Sequence, residues 1–247
     1  MLDRALAGQV LTGADLRWPT LATVDLRGVT VREVRSRGKH QLFRLDNEHT
    51  LHTHLRMDGS WKVFAAGARR SGGAEHQIRV LLTTATVQAV GYRLPVVELF
   101  RTAEEEAHLG YLGPDLLGPD WDLSEAVRRL TAAPQRSIGE ALLDQRNLAG
   151  IGTFYRAETL FLRGVNPRRP VGEVPDLPGL VERARTLLRA NTDRPWQTTT
   201  GDTRPGEHTW VFDRAGRPCR RCGSTIQLEE LGEEQARRSF WCPHCQP

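Results

Sequence analysis

The chain holds four cysteines, and all of them fall in its last 29 residues as two pairs, Cys219-Arg-Arg-Cys222 and Cys242-Pro-His-Cys245, separated by nineteen residues. Two cysteines spaced in this way can turn both sulfurs toward one tetrahedral ion, and a hairpin-length insert brings the second pair round to close the coordination sphere. The spacing predicts one structural zinc held by Cys219, Cys222, Cys242 and Cys245, with no cysteine left to act as a nucleophile. Two disulfides in a secreted domain are the competing reading, but no signal peptide is evident and disulfide scaffolds are short and cysteine-dense. A four-thiolate shell leaves no open position for water, so the chemistry must lie elsewhere.

The second grouping is Leu143-Asp-Gln-Arg-Asn-Leu-Ala-Gly-Ile-Gly152, between two helical patterns. Gly150 and Gly152 flank an isoleucine just ahead of a helix, where bare backbone amides at the positive helix end suit an anion such as a phosphate. A tight connection between two helices would use glycines in the same places.

Around these motifs the chain changes character twice. Residues 1–110 read as short β-branched or alternating segments separated by Gly, Asp or Asn: Thr30–Arg35, Gln41–Leu45, Thr50–Leu55, Gln77–Leu82 and Val87–Val90. Repeated strands at this spacing imply an antiparallel sandwich or barrel. Two Gly-Pro-Asp units within Leu109–Asp120 mark a boundary. Beyond it apolar residues recur at helical spacing over Leu123–Thr131, Ile138–Asp144, Phe154–Arg163 and Leu177–Ala190, and from Thr209 short strands return around the cysteines. The expected organisation is α+β and multidomain: a β-sandwich at 1–115, a helical domain at 116–208 and a zinc-finger hairpin at 209–247.

The bulk composition narrows the class. With 247 residues, 39% hydrophobic and 26% charged, the chain is long enough for two ordinary domains plus the zinc module, and no apolar run approaches the ~18 residues a bilayer span needs. A cytoplasmic location is the default. The formal charge of +4 is only mildly basic. Of 34 basic residues only Lys39 and Lys62 are lysines, so a lysine at a particular place carries extra information.

Four collinear stretches resemble the formamidopyrimidine-DNA glycosylase / endonuclease VIII family. Ile138–Gln145, Leu148–Gly152 and Tyr155-Arg-Ala-Glu-Thr-Leu-Phe161 resemble its helix-two-turn-helix; Arg37-Gly-Lys-His40 its lysine-bearing turn; Leu51-His-Thr-His-Leu-Arg-Met-Asp-Gly-Ser60 its strand and minor-groove loop; and Trp210–Gln246 its zinc finger. No Asp-Pro-Arg-Arg-Phe-Gly type loop is present, which points to the endonuclease VIII side. The resemblance implies a bacterial, nucleoid-associated, monomeric enzyme of base excision repair whose partner is damaged DNA and whose only metal is structural zinc. It implies glycosylase and abasic-site lyase activities on oxidised bases: a flipped nucleotide is attacked by an N-terminal proline amine, a Schiff base forms and β-elimination breaks the strand.

Residue by residue, the resemblance implies catalytic roles for Lys39 and Arg237. A lysine in the cleft binds the phosphate beside the lesion and can shed its proton, and a finger arginine clamps phosphate bidentately, with Arg238 the neighbouring candidate. Arg56 and Met57 fall in the void-filling loop, where an apolar wedge holds the duplex bent. Asn147, Gly150, Gly152 and Thr153 would meet the DNA backbone. Thr153 stands where most of the family has asparagine, so its hydroxyl offers a shorter reach to phosphate.

The family opens with Met-Pro-Glu and a helix, whereas this sequence opens Met1-Leu-Asp-Arg-Ala-Leu-Ala-Gly8, similar to the last turns of that helix. The expectation is that the proline nucleophile and its glutamate partner are missing from the sequence as written, which by itself would then not perform the proline reaction. A non-catalytic damaged-DNA-binding protein is the alternative, and an RNA- or ribosome-associated zinc protein a weaker third. His52 and His54 alternate on a strand with no third ligand in view, which favours hydrogen-bonded histidines over a metal site; His244 is expected to be exposed.

Overall fold

The computed structural model describes residues 1–247 except 57, 193, 195 and 233–235. Two compact units divide it, Met1–Gly110 and Tyr111–Pro247, with the division inside the Gly-Pro-Asp boundary stretch.

The first unit is an antiparallel sandwich led by a short helix, α1 (Leu2–Leu6). Its strands are β1 (Gly13–Leu16), β2 (Val31–Arg37), β3 (His40–Leu45), β4 (His49–His54), β5 (Ser60–Ala65), β6 (Ile78–Thr83), β7 (Val87–Tyr92) and β8 (Val96–Arg101), and α2 (Glu105–Leu109) closes the unit. They form two sheets, β1-β6-β7-β5 and β2-β3-β4-β8. Inward residues of both sheets, among them Val34, Phe43 and Leu51 on one and Trp61, Val80 and Leu82 on the other, share a core that Leu2 and Leu6 of α1 complete. The alternation along β6, where Ile78, Val80 and Leu82 are buried and the residues between are not, is the period-2 signal of a half-buried strand. Sequence reasoning missed β1, β5 and β8, which carry Asp15, Lys62 and Glu98 within short runs that lack a clean alternation.

The second unit holds α3 (Leu123–Thr131), α4 (Ile138–Ala141), α5 (Thr153–Arg163) and α6 (Leu177–Arg189), followed by the hairpin β9 (Gln227–Leu231) and β10 (Arg237–Trp241). Caps set the helix starts: Asp122 accepts from the Glu125 amide at 3.0 Å, and Asp176 from the Gly179 amide at 2.9 Å. Gly164 ends α5 at φ +66°, the left-handed conformation that favours glycine. The helices pack around Leu130, Ile138, Leu142, Ile151, Leu180 and Ala184.

Helix α4 is shorter than the expected Ile138–Asp144, for a local reason. The Asn147 side-chain amide donates to the Ala141 carbonyl at 3.0 Å, and the Gln145 amide to the Leu143 carbonyl at 3.2 Å. Those carbonyls would otherwise receive the next helical N–H groups. A third core joins Ala157 and Phe161 of α5 to Val211, Ile226 and Phe240, so helices and finger share one unit by contact.

Candidate nucleic-acid interface and metal site

In the first unit, Lys39 occupies a two-residue turn between β2 and β3, flanked by the paired residues Arg37 and His40. Gly38 takes φ +58° at the first turn position, which frees the lysine from that demand. Behind the turn lies a buried polar row. His40 stands opposite His54 on β4, and His52, two residues earlier, stands opposite Glu98 on β8. His40 Nδ1 lies 2.8 Å from His52 Nε2, and His52 Nδ1 lies 2.9 Å from Glu98 Oε2. Burial, reinforced by the positive charges of Lys39 and Arg37 and by the neighbouring imidazoles, holds His40 down at about 3. His54 is lowered to about 4 by burial first, then by Lys39 and Arg56. Both rings are therefore neutral near pH 7.

The strand exit that follows carries Arg56, exposed and at φ +45°, its amide donating to His54 Nδ1 at 2.9 Å. Such a conformation is uncommon for a non-glycine residue and is held here by that hydrogen bond. Met57 lies outside the described residues.

In the second unit the turn before α5 is braced by one side chain. Gln145 accepts from the Gly150 amide at 2.9 Å and donates to the Ile151 carbonyl at 3.1 Å. Gly150 adopts φ +113°, which only glycine does without strain. Its amide is thus committed to the turn. The anion-binding capacity falls instead to the first amides of α5 beyond Gly152, its N-cap residue, which provides no side-chain cap; Thr153 is half-buried there. Asn147 spends one of its two amide hydrogens on Ala141 and so acts first as a turn brace.

Residues 154–161 of α5 are all buried, two charges included. Glu158 accepts from the backbone amides of Trp210, Val211 and Phe212 at 2.8, 2.9 and 2.8 Å, and from the Thr199 hydroxyl. The Arg156 guanidinium donates to the Arg238 carbonyl at 2.7 Å and reaches the Gly139 carbonyl at 3.4 Å. Burial lowers Arg156 to about 10, against the pull of Glu229 and Glu140. These two residues tie the helix after the turn to the entry of the finger and to the strand that carries Arg237. Sequence reasoning passed over both, although charges inside an otherwise apolar helical stretch were a usable signal.

Arg237 and Arg238 begin β10, both exposed, and alternate to opposite faces of the strand. Arg238 lies 3.8 Å from Asp213 and stacks over Phe240 at 5.0 Å.

The four cysteines converge as their spacing predicted, with all four Sγ atoms within 4.8 Å of one another. Cys219 and Cys245 are 4.0 Å apart, Cys222 and Cys242 3.4 Å. A tetrahedral ion with metal–sulfur bonds of about 2.3 Å requires sulfurs about 3.8 Å apart, so the group fits one metal. Hydrogen bonds from Ser224 bring Cys222 down to about 6, whereas burial pushes Cys245 up to about 12. A bound cation would hold all four as thiolates. His244 is exposed.

A sandwich with a lysine-tipped turn, a helix pair with an open helix end and a four-cysteine hairpin together define a class of DNA-repair proteins. The formamidopyrimidine-DNA glycosylase N-terminal domain matches residues 2–93, and the H2TH domain of the same enzymes matches residues 112–189. The chain is 56% identical over 251 residues to a probable endonuclease 8 2 of Streptomyces coelicolor, covering 99% of this chain and 89% of that one. It is 45% identical to the DNA-(apurinic or apyrimidinic site) lyase Nei2 of Mycolicibacterium smegmatis, covering 99% and 94%. The complex of Lactococcus lactis Fpg with DNA containing an abasic site superposes with a TM-score of 0.82 at 22% identity, over 100% of this chain and 95% of that one, a likeness of fold. The chain belongs to the formamidopyrimidine-DNA glycosylase / endonuclease VIII family.

Proposed function

We propose that this protein is a bifunctional DNA glycosylase and abasic-site lyase of the endonuclease VIII branch, removing oxidised bases from DNA in base excision repair. The observation that carries this reading is the second unit's geometry. The open amides of α5, the braced turn and the arginine-led strand are fixed to one another through Arg156 and Glu158, as phosphate recognition along a backbone requires. Relatives named endonuclease 8 and abasic-site lyase support the chemistry.

In this reading Lys39 contacts the phosphate beside the lesion and exchanges a proton during elimination, and Arg237 clamps the phosphate on the far side. Arg56 and Met57 fill the gap left by the extruded nucleotide. Gly152, Thr153 and the α5 amides take a phosphate, with Gly150 and Asn147 shaping the turn and Arg238 adding charge. One zinc, bound by Cys219, Cys222, Cys242 and Cys245, holds the finger in its folded form. By role the chain divides at 1–115, 116–208 and 209–247, and it acts as a monomer on DNA in the bacterial cytoplasm. Among the described residues no helix is long and apolar enough to cross a membrane.

An amine attacks the exposed sugar carbon, the base leaves, and the resulting Schiff base permits β-elimination. In this reading the amine is that of a proline that leads a helix and is followed by glutamate, as the resemblance to the family implies. Borohydride trapping on an abasic-site duplex tests this, using the chain alone and preceded by such a helix, each with and without Lys39→Ala. Trapping by the extended protein that survives Lys39→Ala supports the reading. Trapping by the chain alone that disappears with Lys39→Ala would make this lysine the nucleophile. No trapping by the extended protein, with tight abasic-site binding retained, would leave a damaged-DNA binder.

A further inference from the structure

The segment that leaves β4 is a turn tied down at three points. A backbone N–H can only donate, so the Arg56 amide, 2.9 Å from His54 Nδ1, fixes that nitrogen as an acceptor. His54 is then neutral with its hydrogen on Nε2, in keeping with the burial and the Lys39 and Arg56 charges that hold it down at about 4. Nδ1 stands as many bonds from Cα as an asparagine Oδ1. The imidazole therefore closes the same ring that an asparagine closes when it bonds the amide two residues on.

The second tie is the Gly59 amide, which donates to the Leu55 carbonyl at 2.9 Å. A Cβ at residue 59 would lie 2.6 Å from that oxygen and 2.8 Å from Leu55 Cα, both backbone atoms, so only glycine closes the turn this tightly. The third tie is Arg93, whose Nε donates to the Asp58 carbonyl at 3.1 Å. Arg93 is itself anchored on Gln77, through Nη1 to Oε1 at 3.1 Å and through its amide to the carbonyl at 2.8 Å. Among the described residues four that are not glycine take a positive φ, and Arg56 at +45° and Arg93 at +49° are two of them. Backbone strain of this kind persists only where the surroundings impose it, and it collects at functional sites.

We propose that His54 and Arg93 are positioning residues that hold the turn over residues 55–59 in one conformation before any duplex arrives, with Arg56 presented to solvent. DNA then meets an arginine that is already placed, and the cost of ordering the turn falls on folding rather than on binding. The effect on DNA rests on the role proposed for Arg56; the state of the turn in the free protein does not.

Two substitutions at residue 54 separate the acceptor from the ring. His54→Phe keeps a ring edge-on to His40, where the imidazole stands at 4.7 Å, but offers no acceptor. His54→Asn loses the ring and its Nε2–H but restores an acceptor to the Arg56 amide. In 15N-labelled free protein near pH 7, His54 is expected as the Nε2–H tautomer and the Arg56 amide as slow to exchange. That amide should exchange at least about tenfold faster in His54→Phe and within about twofold of wild type in His54→Asn. Arg93→Met, a change at an exposed residue, should speed exchange at Gly59 by about threefold or more. For an abasic-analogue duplex, His54→Phe should weaken binding about five- to tenfold and His54→Asn under about twofold, with intact duplex affected under about twofold by either. In an Arg56→Ala background the His54→Phe loss should shrink below about twofold.

A folded wild type with the His54 hydrogen on Nδ1 overturns the proposal. So does an Arg56 amide indifferent to His54→Phe, a Gly59 amide indifferent to Arg93→Met, or a His54→Asn that exchanges and binds as poorly as His54→Phe. Equal His54→Phe losses with and without the Arg56 side chain overturn it as well. The expected exchange pattern in a protein that binds abasic-analogue and intact duplex equally would uphold the preformed turn and remove the proposed function instead.

Discussion

The two units position Lys39 and Arg237 by opposite means. Behind Lys39 the first unit buries two imidazoles, His40, which burial holds neutral, and His52, linked to a single carboxylate at the surface. Behind Arg237 the second unit buries full charges, Arg156 and Glu158, and satisfies them mainly with backbone groups rather than with each other. A neutral buried imidazole such as His40 costs little desolvation but depends on pH. A buried charge is insensitive to pH near neutrality but costs heavily if its partners are removed.

The most severe break in this contrast is loss of the finger. Removing the metal by chelation, or making Cys219→Ser, should unfold the segment beyond residue 209 and reduce binding of an abasic-analogue duplex by about 100-fold, while the first unit keeps its β-sheet circular dichroism. Metal analysis of the intact protein should find one zinc per chain; its absence alongside undiminished DNA binding would defeat the zinc assignment.

Next in size is Glu158→Ala, which strands three backbone amides and should cost about 3 kcal/mol or more in urea unfolding of the second unit. Arg156→Met should cost less, within about 2 kcal/mol of wild type, because among the described residues the arginine makes no direct ion pair, Glu229 and Glu140 acting on it only at longer range, and its Nε finds no hydrogen bond. If the two substitutions cost the same, the view of Glu158 as the main anchor of the finger entry is wrong.

The first unit should instead respond to acid. His40 and His54 have folded values near 3 and 4, below the ordinary 6.5 of the unfolded chain. Below pH 6.5 the unfolded chain therefore binds more protons, and stability falls as pH is lowered toward 4, by up to about 1.4 kcal/mol per pH unit for each histidine. His40→Gln should flatten this dependence when thermal melts are compared between pH 7 and 4.5. An unchanged slope would place the acid sensitivity elsewhere.

The smallest effect belongs to the exposed arginines. Arg237→Ala should weaken DNA binding several-fold and reduce the salt slope by about one, while Arg238→Ala, already near Asp213 and Phe240, should do less. A larger loss for Arg238 would reverse the assignment of the two.

Much of this protein was legible in the sequence wherever the deciding interaction is local. Cysteines two residues apart can turn both sulfurs the same way, so the two pairs bring four sulfurs within 4.8 Å of one another, close enough for one metal ion. Asp122, Asp176 and Gly164 mark helix ends because caps act within a few residues. Arg37-Gly-Lys-His40 forms a turn because Gly38 accepts a positive φ. The shortening of α4 was less visible, since it depends on Gln145 and Asn147 choosing carbonyls over solvent.

Tertiary structure decided which polar residues are buried and what satisfies them. Glu98 meets His52 across 46 positions, Glu158 reaches residues 210–212, and Arg156 finds the Arg238 carbonyl 82 positions away. Periodicity records which face of an element is apolar. It does not record which distant strand will lie against a histidine or a glutamate, and that packing alone sets the desolvation, the hydrogen-bond partners and hence the protonation of the groups behind the site.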